Sequence, residues 1–160
     1  MPVFISYQHD QRLDAFILNE RLLLEGIPTQ LARYDDATCQ TFDDICVSLR
    51  QYLADSTHLV CVLSQQAAEN WWVAWQLGAA AASNRRISLY RSGPAPLPGY
   101  LERWPLLHER EHIDLFVRAY HEECTFDRAM TPAREGHHAY DRDNADFFHT
   151  DLKAKIRQGF

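Results

Sequence analysis

Trp72 and Gln76 stand four residues apart in S-Q-Q-A-A-E-N-W-W-V-A-W-Q-L-G-A-A-A-A, residues 64–82. The alanine-rich interior favours helix from about Ala67 or Ala68, because alanine loses no side-chain entropy on forming one. On a helix, that spacing places an aromatic and an amide side chain on one face, a turn apart. The apolar run His58-Leu-Val-Cys-Val-Leu63 precedes them and reads as a buried strand. A strand, a short polar loop and such a helix make a ligand crevice, because ligands of open parallel sheets sit at the carboxyl ends of strands. A second group, His108-Glu-Arg-Glu-His112, matches the letters of H-E-x-x-H, the zinc-peptidase pattern. That chemistry needs both histidines on one helix face and the glutamate on a zinc-bound water. Pro105 lies close upstream, and eight histidines make a chance match credible, so no metal site is expected there. His137-His138 reads as an exposed pair.

These residues need a frame to hold them. Val3–Tyr7 is a short apolar strand and Gln8–Arg12 a loop. Leu13–Glu25 has apolar residues at 13, 16, 17, 18 and 22–24, an amphipathic helix closed by Gly26. Ile27–Ala32 reads as a second strand, with Pro28 near its start. A polar loop, Tyr34–Thr41, holds the pair Asp35-Asp36, and Phe42–Ala54 makes a second helix. Arg86–Arg91 is a fourth strand, followed by a stiff Pro/Gly-rich loop at 92–99. Tyr100–Leu107 is apolar and aromatic, Ile113–Cys124 has a helical pattern, and Thr125–Phe160 is polar with scattered aromatics. The order β-α-β-α-β-α-β, with continuous apolar strands, predicts a parallel sheet covered on both faces.

The 160 residues suit one domain with a real core, and no apolar run approaches a membrane span. No secretory signal is visible at the N-terminus. A net charge of −6 argues against a general nucleic-acid binder, which needs a basic face. Cys39, Cys46, Cys61 and Cys124 match no zinc or redox spacing and read as reduced structural thiols of a cytosolic protein.

V-F-I-S-Y at 3–7, the helix ending in Gly26, D-D-I-C-V-S-L-R-Q-Y-L-A-D-S at 43–56, L-V-C-V-L-S at 59–64 and W-V-A-W-Q-L-G at 72–78 together resemble a TIR (Toll/interleukin-1 receptor) domain. The likeness covers roughly residues 3–120 and is most similar to bacterial TIR proteins of the Thoeris antiphage type. It implies an α/β, flavodoxin-like three-layer sandwich with a central parallel sheet of four to five strands. A TIR domain over 1–124 and an extension over 125–160, packed on or continuing it, follow. Enzymatic members of this family cleave NAD at the nicotinamide–ribose bond and release an ADP-ribose-derived signal, cyclic or conjugated, that activates an effector protein. By resemblance Phe4, Ser6, Tyr7, Gln8, Arg33, Tyr34, Asp35 and Trp72 would contact substrate, with Tyr7 facing the pocket and Phe4 more readily read as core. Arg33 to Asp36 would lie in the loop that covers the site and mediates self-association, or form a solvated turn. NAD is the substrate, with no cofactor and no metal, and the expected location is cytoplasmic, without nucleic-acid or membrane partners.

One departure matters. The family's catalytic glutamate, four residues after the tryptophan, is Gln76 here. Departure of nicotinamide builds positive charge on the ribose, which a carboxylate stabilises and an amide does not. Gln76 is therefore expected to abolish or strongly reduce turnover, either as an engineered substitution in an active enzyme or as a natural silent form. Glu69, seven residues back, is about 10 Å away along the helix axis and too far to replace it. Two alternatives stay open: a non-catalytic TIR interaction module, and a nucleoside deoxyribosyltransferase-like enzyme of the same fold type.

Overall fold

Val3, Phe4, Ile5 and Ser6 form a first strand, β1 (Val3–Ser6), in which every side chain is buried. Successive residues of a strand point to opposite faces, so both faces of this sheet must be covered. The computed structural model describes residues 1–31, 41–63, 71–91, 97–130 and 140–159, without side chains at 42, 126–130 and 140–144. In chain order β1 is followed by α1 (Arg12–Leu24), β2 (Thr29–Leu31), α2 (Phe42–Asp55), β3 (His58–Val62), α3 (Trp71–Ala82), β4 (Arg86–Tyr90), β5 (Leu106–Leu107), α4 (Arg110–Met130) and α5 (Tyr140–Gln158). The strands are parallel in the order β2-β1-β3-β4-β5. This is the flavodoxin-like order, whose switch point lies between β1 and β3.

The alternation divides the core in two. Val3, Ile5, Val60 and Val62 pack with Leu18 and Leu22 of α1, Phe116 and Tyr120 of α4, and Phe148 and Leu152 of α5. Phe4, Leu59, Cys61, Ile87 and Leu89 pack on the other face with Leu49 and Leu53 of α2 and Val73 and Leu77 of α3. Thr41 starts α2: its Oγ1 accepts from the Asp44 amide at 3.2 Å, and Asp44 Oδ2 accepts from the Thr41 amide at 3.2 Å. Gly26 closes α1 at φ +74°, with its own amide bonded to Leu23 and the Ile27 amide to Leu22. A side chain there meets no neighbour but must adopt the left-handed conformation. Gly26→Ala is expected to cost about 1 kcal/mol, read as a lower urea midpoint.

The apolar positions expected to face the core from α1 mostly do not. Its buried residues are Ala15, Leu18, Asn19 and Leu22, while Leu13, Phe16, Ile17, Leu23 and Leu24 are exposed. The helix carries two apolar stripes, and the one that docks includes a polar residue. Asn19 earns burial because its Oδ1 accepts from Thr29 Oγ1 of β2 at 2.6 Å.

The C-terminal stretch, left without assigned structure by the sequence, closes an edge. β5 has two residues and pairs with Leu89 and Tyr90, so among the described residues the amino half of β4 has no strand neighbour on that side. α5 covers it: the Ile87 amide donates to His149 Nε2 at 2.7 Å, and Ala145, Phe148 and Leu152 are buried. Burial pushes the His149 pKa down from 6.5 to about 4; Asp146 opposes this, while Arg103, Arg86 and His58 add to it. Between those values the unfolded chain binds the proton that the folded chain refuses, so stability falls as pH drops from about 6.5 to 4. The expected loss from this group is about 3 kcal/mol. Urea unfolding across that window should show it, and His149→Gln should flatten the slope. His58, also lowered by burial, contributes a slope of the same sign that stays in the variant.

Candidate functional site at the carboxyl edge of the sheet

Ser6 ends β1 and pairs in register with Cys61, one residue before the end of β3. Their side chains share the face covered by α3, and Gln76 reaches them there. Ser6 Oγ donates to Gln76 Oε1 at 2.8 Å, and Gln76 Nε2 donates to Cys61 Sγ at 3.4 Å. All three residues are buried, Gln76 to 1% exposure. The buried positions Val73, Gln76, Leu77 and Ala80 follow the i, i+3, i+4, i+7 repeat of a docked helix face. The amide therefore replaces an apolar residue in that stripe and is tolerated because both its ends are bonded.

Burial pushes the Cys61 thiol up to about 12, against a smaller opposing effect of the bond from Gln76. The thiol is thus protonated at neutral pH and not a nucleophile. Ser6 O–H and Cys61 S–H are both able to donate to an acceptor-only group, so this spot would suit a carboxylate as well as an amide.

The expected substrate contacts separate into groups. Ser6 meets Gln76 directly. Phe4 is a correction: it is fully buried, stacks on Tyr52 with ring centroids 4.8 Å apart, and belongs to the core. It sits one turn of the pleat below Ser6, on the same face but inside the sheet rather than at its edge. Tyr7, half-buried, points to the opposite layer, with its ring 6.5 Å from Phe16 of α1. Gln8 starts a short 3-10 turn, its amide donating to Gln11 Oε1 at 3.1 Å. Trp72 is half-buried at the start of α3, with its ring 5.0 Å from Trp75 and 5.9 Å from the exposed Trp71. Trp75 packs against the α2–α3 core. Arg33, Tyr34, Asp35, Asp36 and Glu69 lie outside the described residues.

The open crevice expected around position 76 is also corrected, since that side chain is enclosed. Cys61 as its partner is a contact the sequence reading lacked; the signal for it was the common end of β1 and β3, which puts Ser6 and Cys61 side by side. A groove of about 950 Å³ lies elsewhere, between α1 and α4 around Arg21, Asp114, His121 and Glu122. It is crossed by the Arg21–Asp114 ion pair at 2.8 Å and holds none of the residues singled out above. No helix among the described residues is long and apolar enough to cross a membrane.

Residues 3–130 match the family model for the TIR domain. No curated protein sequence matches the chain. Among solved structures, the TIR domain of the Toll-related receptor TRR-2 from Hydra magnipapillata is similar at TM-score 0.59 and 19% identity, over 76% of this chain and 95% of that one. A 2-deoxyribosyltransferase from Bacillus psychrosaccharolyticus is similar at TM-score 0.56 and 9% identity, over 68% and 87%. At those identities the likeness is one of fold.

Proposed function

Because the chain belongs to the TIR domain family, we propose that it is a TIR protein of the NAD-cleaving, antiphage-defence kind whose turnover is held low by Gln76. In this reading the ribose that carries nicotinamide lies at the β1/β3 switch point, and the enclosed side chain at 76 turns outward to meet it. Cleavage breaks the ribose–nicotinamide bond, the bonding pair leaves with nicotinamide, and the sugar becomes positively charged until water or an internal nucleophile attacks it. The ADP-ribose-derived product then signals to an effector, with self-association of TIR surfaces as part of the same reading. Ser6 orients the side chain at 76, and Trp72, a turn earlier on α3, supplies an aromatic wall.

The observation that carries this reading is the Ser6–Gln76–Cys61 contact, in which Ser6 donates to the side chain at 76 and Cys61 accepts from it, at the position where the family's carboxylate stands. A second reading, a non-catalytic TIR module, is favoured by the same residue's burial and its two satisfied ends, which leave no polar atom for a ribose hydroxyl without rearrangement. One assay separates them: the chain and its Gln76→Glu variant, each incubated with NAD and with deoxynucleosides at high protein concentration. Nicotinamide released by the variant supports the NAD reading. Free base from deoxynucleosides alone selects transferase-like chemistry, and no release from either leaves the interaction module.

A further inference from the structure

The H-E-x-x-H letters are not arranged as in a peptidase, because α4 begins at Arg110 and His108 lies before it. The fold nevertheless gathers His108, Glu109 and His112, with one ligand atom from each within 4.8 Å of the others. His108 Nε2 is 3.4 Å from Glu109 Oε1, and His112 Nε2 is 3.8 Å from Glu109 Oε2. Tetrahedral zinc with bonds of about 2.1 Å needs ligand atoms about 3.4 Å apart. We propose that His108, Glu109 and His112 form a binding site for a zinc-class divalent cation at the junction of β5 and α4, with water completing the shell.

The donor set is two imidazoles and one carboxylate, which suits zinc, cobalt and nickel rather than calcium or magnesium. His112 is held by packing at 7% exposure, while Glu109 is exposed and free to rotate inward. Glu109 is placed between the two histidines and acts as a ligand, leaving no general base for peptide hydrolysis. Two features limit the affinity. Ligation through His112 Nε2 puts the ring proton on Nδ1 and gives up the long 3.4 Å contact from the His108 amide. The first amides of α4 also oppose a cation, an effect the Glu109 charge offsets. The site lies at β5, two strands and about 10 Å across the sheet from β3, so its occupancy is independent of the NAD reading.

The test is titration of the chelator-treated full chain with Co²⁺, followed by its visible ligand-field bands, and then with Zn²⁺ against a chromophoric chelator. One equivalent should bind, with tetrahedral or five-coordinate bands. His108→Ala and Glu109→Gln, both at exposed positions that the fold does not depend on, should each weaken binding about tenfold or more. His112→Ala should abolish the bands, and His137→Ala with His138→Ala should leave them unchanged. Absence of stoichiometric binding, or binding that survives His108→Ala and Glu109→Gln at full affinity, overturns the assignment.

Discussion

Gln76→Glu should release nicotinamide from NAD about a hundredfold to a thousandfold faster than the unsubstituted chain. The two side chains have the same shape, so the difference is electrostatic. A fixed negative charge in an enclosed site stabilises the cationic sugar of the transition state, and the amide supplies only a dipole. Ser6 O–H already sits 2.8 Å from the oxygen it would serve. The Cys61 thiol, protonated up to about 12, turns from acceptor to donor when the amide is replaced. The substitution also has a cost, because it places a carboxylate at a position only 1% exposed. Folding stability should fall by about 1–3 kcal/mol, and the new carboxyl should titrate above the ordinary range, since burial disfavours its charged form. The rate should therefore rise with pH through that elevated value. Ser6→Ala in the same background should move the rise to still higher pH by removing a bond to the charged form. A folded Q76E variant that binds NAD yet releases no nicotinamide at any pH would end the catalytic account.

How far the sequence foretold this site depends on which residue is considered. The apolar runs at 3–7, 58–63 and 86–91 announced their strands because burial on both faces leaves little room for polar residues. Gln76 was recognisable from its distance to Trp72, but its enclosure was not, because a docked helix face and a ligand-facing one have the same repeat. Phe4 and Ser6 share a face by alternation; which of them reaches the edge depends on where β1 stops, and strand ends are weakly encoded. α1 was found, but its docking stripe was misjudged, since Leu13, Ile17 and Leu24 are more apolar than Asn19 and only the Thr29 bond reveals why Asn19 turns inward. α5 was missed because its interior residues are few. Its role follows from the shortness of β5, a tertiary fact with no local signal.

Glu123→Ala should be the most damaging single change to the fold outside the apolar core. His58 and Arg86 begin β3 and β4 as paired neighbours, and Glu123 of α4 reaches both. Its Oε1 accepts from Arg86 Nε at 2.6 Å, and its Oε2 lies 3.0 Å from His58 Nε2. His58 stands inside an aromatic box of Phe116, Tyr120 and Phe148, where burial pushes its pKa down. At neutral pH the Arg86 guanidinium is therefore the cation that Glu123 balances, in a setting only 5% exposed. Removing the carboxylate takes its 2.6 Å partner from that buried charge, at a cost of about 3–5 kcal/mol. For a chain of this size, that is a fall of roughly 6–20 °C in Tm by calorimetry at pH 7. Replacing both partners, Arg86→Met with Glu123→Leu, should recover most of the loss, because the cost lies in burying the charge rather than in the missing pair. The pH dependence offers a second check. Burial alone would push the Glu123 carboxyl up, but His58 and Arg86 together hold it below its ordinary 4.5. Its stabilisation is fully present above 4.5 and is lost as pH falls through the lowered folded value. His149 acts in the window from about 6.5 down to 4, so the two limbs separate. Glu123→Ala should remove the lower limb and keep the His149 limb, with the His58 contribution to it steepened because the carboxylate no longer supports the charged imidazole; if instead both limbs persist unchanged at unchanged Tm, the carboxylate is not what joins α4 to the amino edge of the sheet.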